Sequence, residues 1–143
     1  MNITVLNGPN LNLLGQREPE IYGTTGLSDI QNKMLNEVQG SKFSIDFMQS
    51  NKEYELVEKI QSLMNKQDQF IVINPAAFTH TSVAIRDALQ ATQIPFIEVH
   101  LSNIYAREDF RKKSFFSDVA VGTISGLGAE GYLLALKYIL NHY

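Results

Sequence analysis

The sequence contains no cysteine, and no run of about 18 apolar residues that would predict a membrane-spanning helix. The lack of cysteine excludes disulfide bonds, thiolate metal sites and a cysteine nucleophile, and it leaves the redox compartment open. The first residues, MNITVLNG, lack the basic start and long apolar segment of a secretory signal. The net charge is −3 with scattered basic residues, so no electrostatic footprint for nucleic acid or a membrane surface is present. We therefore expect a cytoplasmic protein that binds neither nucleic acid nor membranes.

The sequence does contain enough apolar material for one core. Its 143 residues are 44% hydrophobic, which predicts a single domain spanning residues 1–143. Short apolar runs predict strands, and one-sided apolar patterns at helical spacing predict helices. The predicted strands are 3–6, 43–47, 70–73, 96–100 and 119–124. Four helices are predicted: the first spans 27–38, the second has Ser50 or Asn51 as its N-cap, the third spans 82–91, and the last begins after residue 131.

Strands that alternate with helices predict a parallel sheet covered on both faces, because parallel strands need crossover connections. At this length we expect an α/β, flavodoxin-like, doubly wound fold of five strands in the order 2-1-3-4-5. Residues 43–47 alternate apolar and polar, which favours an edge strand. The glycines at 126, 128 and 131 match G-x-G-x-x-G but follow the last strand, so they indicate close helix–sheet packing and not a dinucleotide site.

A long segment without periodicity, residues 7–23, follows the first strand. Connections longer than about 12–15 residues are usually functional or disordered, and this one carries apolar residues that can pack. It contains Arg17 and Tyr22. A tyrosine that acts as a base needs a nearby cation because its ordinary pKa is near 10, and Arg17 could supply one. The alternative is that Tyr22 packs the loop and Arg17 is solvated.

Two further polar segments, 74–82 and 98–103, follow the third strand and straddle the end of the fourth. Ligands bind beyond the carboxyl ends of such strands, so the three segments should share one cleft. Glu98 and His100 are two residues apart on a strand and point to the same face, which suits a histidine general acid oriented by a carboxylate. A purely structural hydrogen bond between them is the alternative.

Other candidate groups have two interpretations each. His80 fits either a surface position or a ligand contact. Arg107 and Arg111 are interleaved with Glu108 and Asp109, so at least one of them should lie in a solvated, salt-bridged turn. The chain has three histidines and no recognisable ligand spacing, so no metal site is expected.

The three segments closely resemble those of the type II 3-dehydroquinate dehydratases. The matching stretches are NGPNLNLLG with R-E-P and Y-G after it, NPAAFTHTS, EVHLSN, AREDFR, DVAVG and SGLG, and the resemblance covers essentially the whole chain. It implies a flavodoxin-like fold and the shikimate-pathway conversion of 3-dehydroquinate to 3-dehydroshikimate and water through an enolate. It also implies no cofactor, no metal and no lysine Schiff base, and assembly as a homododecamer of four trimers.

The same resemblance assigns roles by position. It implies that Tyr22 is the base, that Arg17 stabilises its phenolate, that Asn10 holds a water against the enolate oxygen, that His100 is the acid and that Glu98 orients His100. The implied substrate contacts are Asn74, His80, Leu101, Ser102 and Arg111, with Asp87 reaching a neighbouring subunit's site and Arg107 lying near a lid. Phe78 and Tyr105 depart from the family, which frequently has Tyr and His there.

The roles agree with the chemistry, since an enolate route needs a base, a donor or fixed water at the oxygen, and a later acid. Residues 7–23 would then form a lid that excludes water. A binding module on the same fold is the rival. A flavodoxin needs a hydroxyl-rich phosphate loop after the first strand, and this loop has few hydroxyls. A receiver domain needs acidic residues at the ends of the first and third strands, and this chain has Asn7 and Asn74 there. A catalytically inactive relative also stays open.

Overall fold

The computed structural model describes residues 1–16, 20 and 24–143. Five parallel strands form one sheet in the order β2-β1-β3-β4-β5, which confirms the predicted order. The strands are β1 (Asn2–Asn7), β2 (Ser44–Gln49), β3 (Gln69–Asn74), β4 (Phe96–His100) and β5 (Gly122–Ser125). The α-helices with both ends in the described residues are α1 (Leu27–Val38), α2 (Glu53–Ser62), α3 (Val83–Thr92) and α4 (Glu130–His142).

The sheet is covered by helices on both faces, as the sequence predicts. Side chains alternate along each strand, so Ile3 and Val5 face one core and Leu6 faces the other. The first core contains the apolar faces of α1 and α4, and the second contains those of α2 and α3. The central strands β1 and β3 are buried along almost their whole length, as the continuous apolar runs of parallel strands require.

Strand β2 lies at the edge of the sheet, which confirms the prediction from its alternating pattern. Ser44 and Asp46 are exposed, while Ile45 and Phe47 are half-buried against the core. The first helix ends at Val38, and Gly40 follows with a φ of 75°, a left-handed conformation that glycine adopts without strain. The predicted stop signal is therefore in place.

The predicted cap of the second helix is wrong. Helix α2 begins at Glu53 and its N-cap is Lys52, which makes no side-chain capping bond. Ser50 acts just ahead of the helix: its hydroxyl accepts a hydrogen bond from the Lys52 backbone N–H at 3.0 Å and donates to Glu55. Ser50 thus fixes the backbone just before the helix and links it to Glu55 in the first turn.

The start predicted for the fifth strand is also wrong, because strand β5 begins at Gly122 and not at residue 119. The backbone N–H groups of Val119 and Ala120 both donate to the Phe116 carbonyl at 3.1 Å, which makes a turn. Their side chains pack against the second core. The apolar character of Val119 and Ala120 therefore reflects packing of a turn. Val121 is 45% exposed, and its backbone N–H donates to the Phe96 carbonyl of β4 at 2.8 Å, one residue before β5 begins.

The topology brings polar residues together at the carboxyl edge. Asn7 and Asn74 are direct partners in the register of β1 and β3, and His100 is the partner of Ser125 on β5. Gly131, in the first turn of α4, lets this helix approach the sheet. A Cβ at Gly131 would lie 3.3 Å from side-chain carbons of Val99 and Ile124, so close packing accounts for this glycine.

Candidate active site

A cleft lies beyond the carboxyl ends of β1, β3 and β4, where the predicted segments converge. It encloses about 730 Å³, its open mouth included. Its described lining residues come from the last residues of these strands and the segments that follow them, so the described parts of the three predicted segments meet. They are Pro9, Asn10, Leu11, Leu14, Asn74, Ala76, Ala77, His80, His100, Leu101, Ser102, Ile104, Arg107 and Arg111.

A buried carboxylate–imidazole pair lies at the wall of this cleft. His100 Nε2 is 2.6 Å from Glu98 Oε1, and the two side chains are 7% and 0% exposed. The hydroxyls of Ser114 and Ser117 donate to Oε1 and Oε2 of the same carboxylate, each at 2.6 Å. His100 lines the cleft, whereas Glu98 lies behind it, so the carboxylate acts on the cleft through the imidazole.

The network determines the charge of Glu98. Burial alone would raise the pKa of this carboxyl group, but the hydrogen bond and positive charge of His100, with the Ser114 and Ser117 hydroxyls, outweigh burial and lower it below its ordinary value. An ionised Glu98 can only accept hydrogen bonds, so the hydrogen-bond network assigns a proton to His100 Nε2. Nδ1 is then the ring nitrogen that Glu98 leaves available to take up and release a proton.

A second buried network lies under the floor of the cleft. The Tyr132 hydroxyl on α4 donates to Asn7 Oδ1 at 2.5 Å and accepts from Asn74 Nδ2 at 2.9 Å. Asn74 Oδ1 in turn accepts from the backbone N–H of Ala76 at 3.2 Å, so both ends of the Asn74 amide are oriented. Burial raises the pKa of Tyr132 well above its ordinary value, so the hydroxyl stays protonated.

Asn10 lies at the entrance to a 3-10 helix, Leu11–Leu13, on the cleft. Its φ is 69°, a left-handed conformation that asparagine adopts more readily than most residues. Its backbone N–H donates to Asn51 Oδ1 at 3.0 Å, which ties the turn to the segment after β2. The backbone therefore holds Asn10 at the cleft independently of its side-chain amide.

Arg107, Arg111 and His80 also line the cleft. Arg107 lies 3.5 Å from the Ser102 hydroxyl, and His80 Nδ1 is 2.7 Å from the Lys113 carbonyl. Arg111 Nε donates to Glu108 at 2.6 Å, which confirms that at least one of the two arginines lies in a salt-bridged turn. Arg111 still lines the cleft, so the salt bridge does not remove it from the site.

Several predicted residues lie elsewhere. Asp87 is exposed on α3 and is not among the described lining residues of the cleft in this chain. Phe78 is half-buried against the second core and Tyr105 is 62% exposed. Arg17 and Tyr22 lie outside the described residues.

The sequence interpretation missed Ser114, Ser117 and Tyr132. The two serines stand in an irregular segment, and their spacing has no periodicity that would indicate a contact with Glu98. Tyr132 lies in the apolar stripe of α4, where an aromatic residue indicates core packing.

Among residues 1–16, 20 and 24–143, no cluster of three or more His, Asp or Glu side chains is arranged to hold a metal ion. Within the same residues, no helix has the length and apolar character needed to cross a membrane.

Comparison with known proteins gives a consistent family. A family model described as Dehydroquinase class II matches residues 1–140. The 3-dehydroquinate dehydratase of Nitrosomonas europaea is 57% identical over 140 residues, which cover 98% of this chain and 97% of that protein. The crystal structure of the type II dehydroquinase from Propionibacterium acnes matches with a TM-score of 0.92 at 43% identity, over 98% of this chain and 96% of that one. The crystal structure of the type II dehydroquinase from Butyrivibrio crossotus matches with a TM-score of 0.93 at 42% identity, over 98% of this chain and 97% of that one. The chain belongs to the class II dehydroquinase family.

Proposed function

We propose that the cleft catalyses the dehydration of 3-dehydroquinate to 3-dehydroshikimate, a hydro-lyase reaction of the shikimate pathway. The observation that carries this proposal is the buried Glu98–His100 pair at the wall of the cleft, in a chain that matches the family over residues 1–140. The three polar segments of the family motif also converge on the same cleft. The fold alone would not support an activity, since flavodoxin-like folds carry many functions.

The reaction requires a proton to leave the carbon next to a ketone and a hydroxyl to leave the next carbon. Negative charge develops on the ketone oxygen, and the departing hydroxyl needs a proton. We assign the proton abstraction to Tyr22 and the stabilisation of its phenolate to Arg17, on family resemblance alone. We assign to Asn10, which lines the cleft, a water molecule held against the enolate oxygen.

His100 is the acid in this proposal. With Nε2 engaged by Glu98, its protonated ring presents Nδ1–H as the donor to the departing hydroxyl. Elimination leaves a neutral His100 and a protonated Tyr22. The enzyme is reset when Tyr22 releases its proton and Nδ1 takes one up, so each cycle consumes no net proton.

The remaining cleft residues bind the substrate. Arginine guanidinium groups suit carboxylate recognition, and 3-dehydroquinate carries one carboxylate. We assign substrate contacts to Asn74, His80, Leu101, Ser102 and Arg111, all of which line the cleft, and a substrate-adjacent position to Arg107.

The assembly and location are further parts of the proposal. A dodecamer of four trimers would bring Asp87 of one subunit toward the cleft of its neighbour, and the exposed position of Asp87 on α3 is compatible with that role. We expect neither cofactor nor metal in the reaction, a single catalytic domain and a cytoplasmic enzyme.

The test is the growth of the conjugated enone absorbance of the product when 3-dehydroquinate is added to the purified protein. Turnover should survive EDTA and should survive borohydride, since the route has no metal and no imine. Tyr22→Phe and His100→Ala should each abolish most turnover, while the exposed His142→Ala serves as a control. Folded protein without turnover would support an inactive relative, and loss with borohydride alone would assign the chemistry to a lysine.

A further inference from the structure

Two serine hydroxyls that lie outside the described lining of the cleft hold the carboxylate behind His100. Ser114 Oγ and Ser117 Oγ each lie 2.6 Å from a different oxygen of Glu98. Such short O–H···O⁻ contacts are typical of charge-assisted hydrogen bonds. With His100, Glu98 therefore has three donors around a side chain that has no exposure to solvent.

The geometry commits the Ser114 hydroxyl to this one use. Its oxygen accepts the backbone N–H groups of Phe116 at 3.0 Å and Ser117 at 3.3 Å, which leaves its single proton for Glu98. The same turn places the Ser117 hydroxyl over the other carboxylate oxygen. The Ser114 oxygen cannot accept a further hydrogen bond from a protonated Glu98 without losing one of its two backbone donors, so the cradle favours the ionised carboxylate.

The segment that carries the serines is anchored by other contacts. Arg86 on α3 donates to the Phe115 carbonyl at 2.7 Å and forms a two-bond pair with the Asp118 carboxylate. The Phe115 backbone N–H donates to the Thr79 carbonyl at 3.0 Å, and the Phe116 side chain is fully buried. Loss of a serine hydroxyl should therefore leave the segment in place.

We propose that Ser114 and Ser117 are positioning residues for the elimination: they hold Glu98 so that it fixes the ring and protonation of His100 during the acid step. The inference rests on the proposed role of His100. Neither serine touches the substrate side of the cleft, so each acts through Glu98. A merely structural role would tie residues 114–117 to β4 and would affect stability without a specific effect on turnover.

Ser117→Ala is the cleaner variant, because Ser117 Oγ makes only the bond to Glu98 among the hydrogen bonds of the described residues. We expect kcat to fall about ten-fold, the size of one lost hydrogen bond to a charged group, with KM changed by less than about two-fold. Ser117→Thr keeps a hydroxyl and should restore most of kcat. Ser62→Ala, on α2 and bonded to the Lys59 carbonyl, is the matched control and should leave kcat unchanged.

A double-mutant cycle with Glu98→Gln separates the two interpretations. If Ser117 acts through the carboxylate, adding Ser117→Ala to Glu98→Gln should lower kcat by less than about two-fold further. A full additional ten-fold loss in the double variant would show that Ser117 acts independently of Glu98 and would overturn the inference. So would a Ser117→Ala enzyme that is less stable but has normal kcat.

The pH profile gives an independent readout. Loss of a donor destabilises ionised Glu98, so the acidic fall of kcat should begin at a higher pH in Ser117→Ala than in the wild type. The other charged groups near the segment are engaged elsewhere: Lys112 pairs with Asp109, Asp118 with Arg86, and Lys113 lies over the Phe115 ring. An unshifted acidic limb would contradict the proposal.

The proposed function can fail separately. If His100→Ala keeps near-normal turnover, the acid role of His100 is wrong whatever the serine variants show. If His100→Ala is inactive while Ser114→Ala and Ser117→Ala both match the wild type in kcat and pH profile, the acid role stands and the positioning role of the serines is refuted.

Discussion

Removal of the Tyr132 hydroxyl by Tyr132→Phe should destabilise the protein strongly for a change of one oxygen atom. The ring lies fully buried on α4, and its hydroxyl joins Asn7 and Asn74 at the ends of two neighbouring strands. Phenylalanine would fill nearly the same volume, so the apolar packing of α4 on the sheet should survive. The cost comes from the polar groups that lose their partner.

The magnitude follows from counting those groups. Asn7 Oδ1 would lose its donor and Asn74 Nδ2 would lose its acceptor, and each orphaned buried group costs about 1–3 kcal/mol. Asn7 Nδ2 already has no hydrogen-bond partner among the described residues, so this amide starts under-satisfied. Asn7 and Asn74 are register neighbours, which allows them to recover part of the loss by a direct bond. We expect a decrease of about 2–4 kcal/mol in the free energy of unfolding.

Urea unfolding at fixed protein concentration measures this difference, because assembly makes apparent stability concentration-dependent. Tyr138→Phe is the matched control on the same helix: its ring is 39% exposed, and its change should stay within about 0.5 kcal/mol. Because Asn74 lines the cleft, Tyr132→Phe should also raise KM for 3-dehydroquinate. A loss below about 0.5 kcal/mol for Tyr132→Phe would refute the reasoning.

Three further changes test other parts of the structure. The free energy of unfolding should fall above about pH 10, by up to about 1.4 kcal/mol per pH unit, because Tyr132 ionises there only in the unfolded chain. Urea unfolding at a series of pH values measures this, and the free energy of unfolding should fall less steeply with pH in Tyr132→Phe. Gly8→Ala would place a Cβ 2.1 Å from the Pro75 carbonyl oxygen, so we expect the free energy of unfolding to fall by about 1–3 kcal/mol and turnover to decrease. Gly122→Ala is the control and should be tolerated in the same assays, because its Cβ would meet no other part of the structure within 4 Å. Thr79→Val should leave stability unchanged or raise it by about 1 kcal/mol in thermal unfolding, since the buried hydroxyl has no partner among the described residues; a loss above about 1 kcal/mol would reveal a partner.

The sequence alone determined the architecture and the place of the site. Continuous apolar runs and one-sided helical patterns predicted β1, β3, β4 and the helices, and parallel connectivity required the crossovers. Polar segments after β1 and β3 and at the end of β4 then had to meet at one edge. The Glu98–His100 pair was also predictable, because residues two apart on a strand share a face.

Local patterns failed where packing decided the conformation. Val119 and Ala120 are apolar because a turn packs them against the second core, so apolar character alone placed the start of β5 too early. Ser50 bonds the backbone two residues on, which a capping rule based on residue type does not distinguish from a true N-cap.

Only the tertiary structure decided which groups surround the candidate site. Ser117 meets Glu98 from 19 residues along the chain, and Tyr132 meets Asn7 from 125 residues away. The periodicity of apolar residues indicates which face of a helix or strand is buried. It carries no information about which side chains from distant parts of the sequence contact that face. The donors that keep Glu98 ionised and orient Asn74 therefore become visible only when the helices and loops are packed onto the sheet.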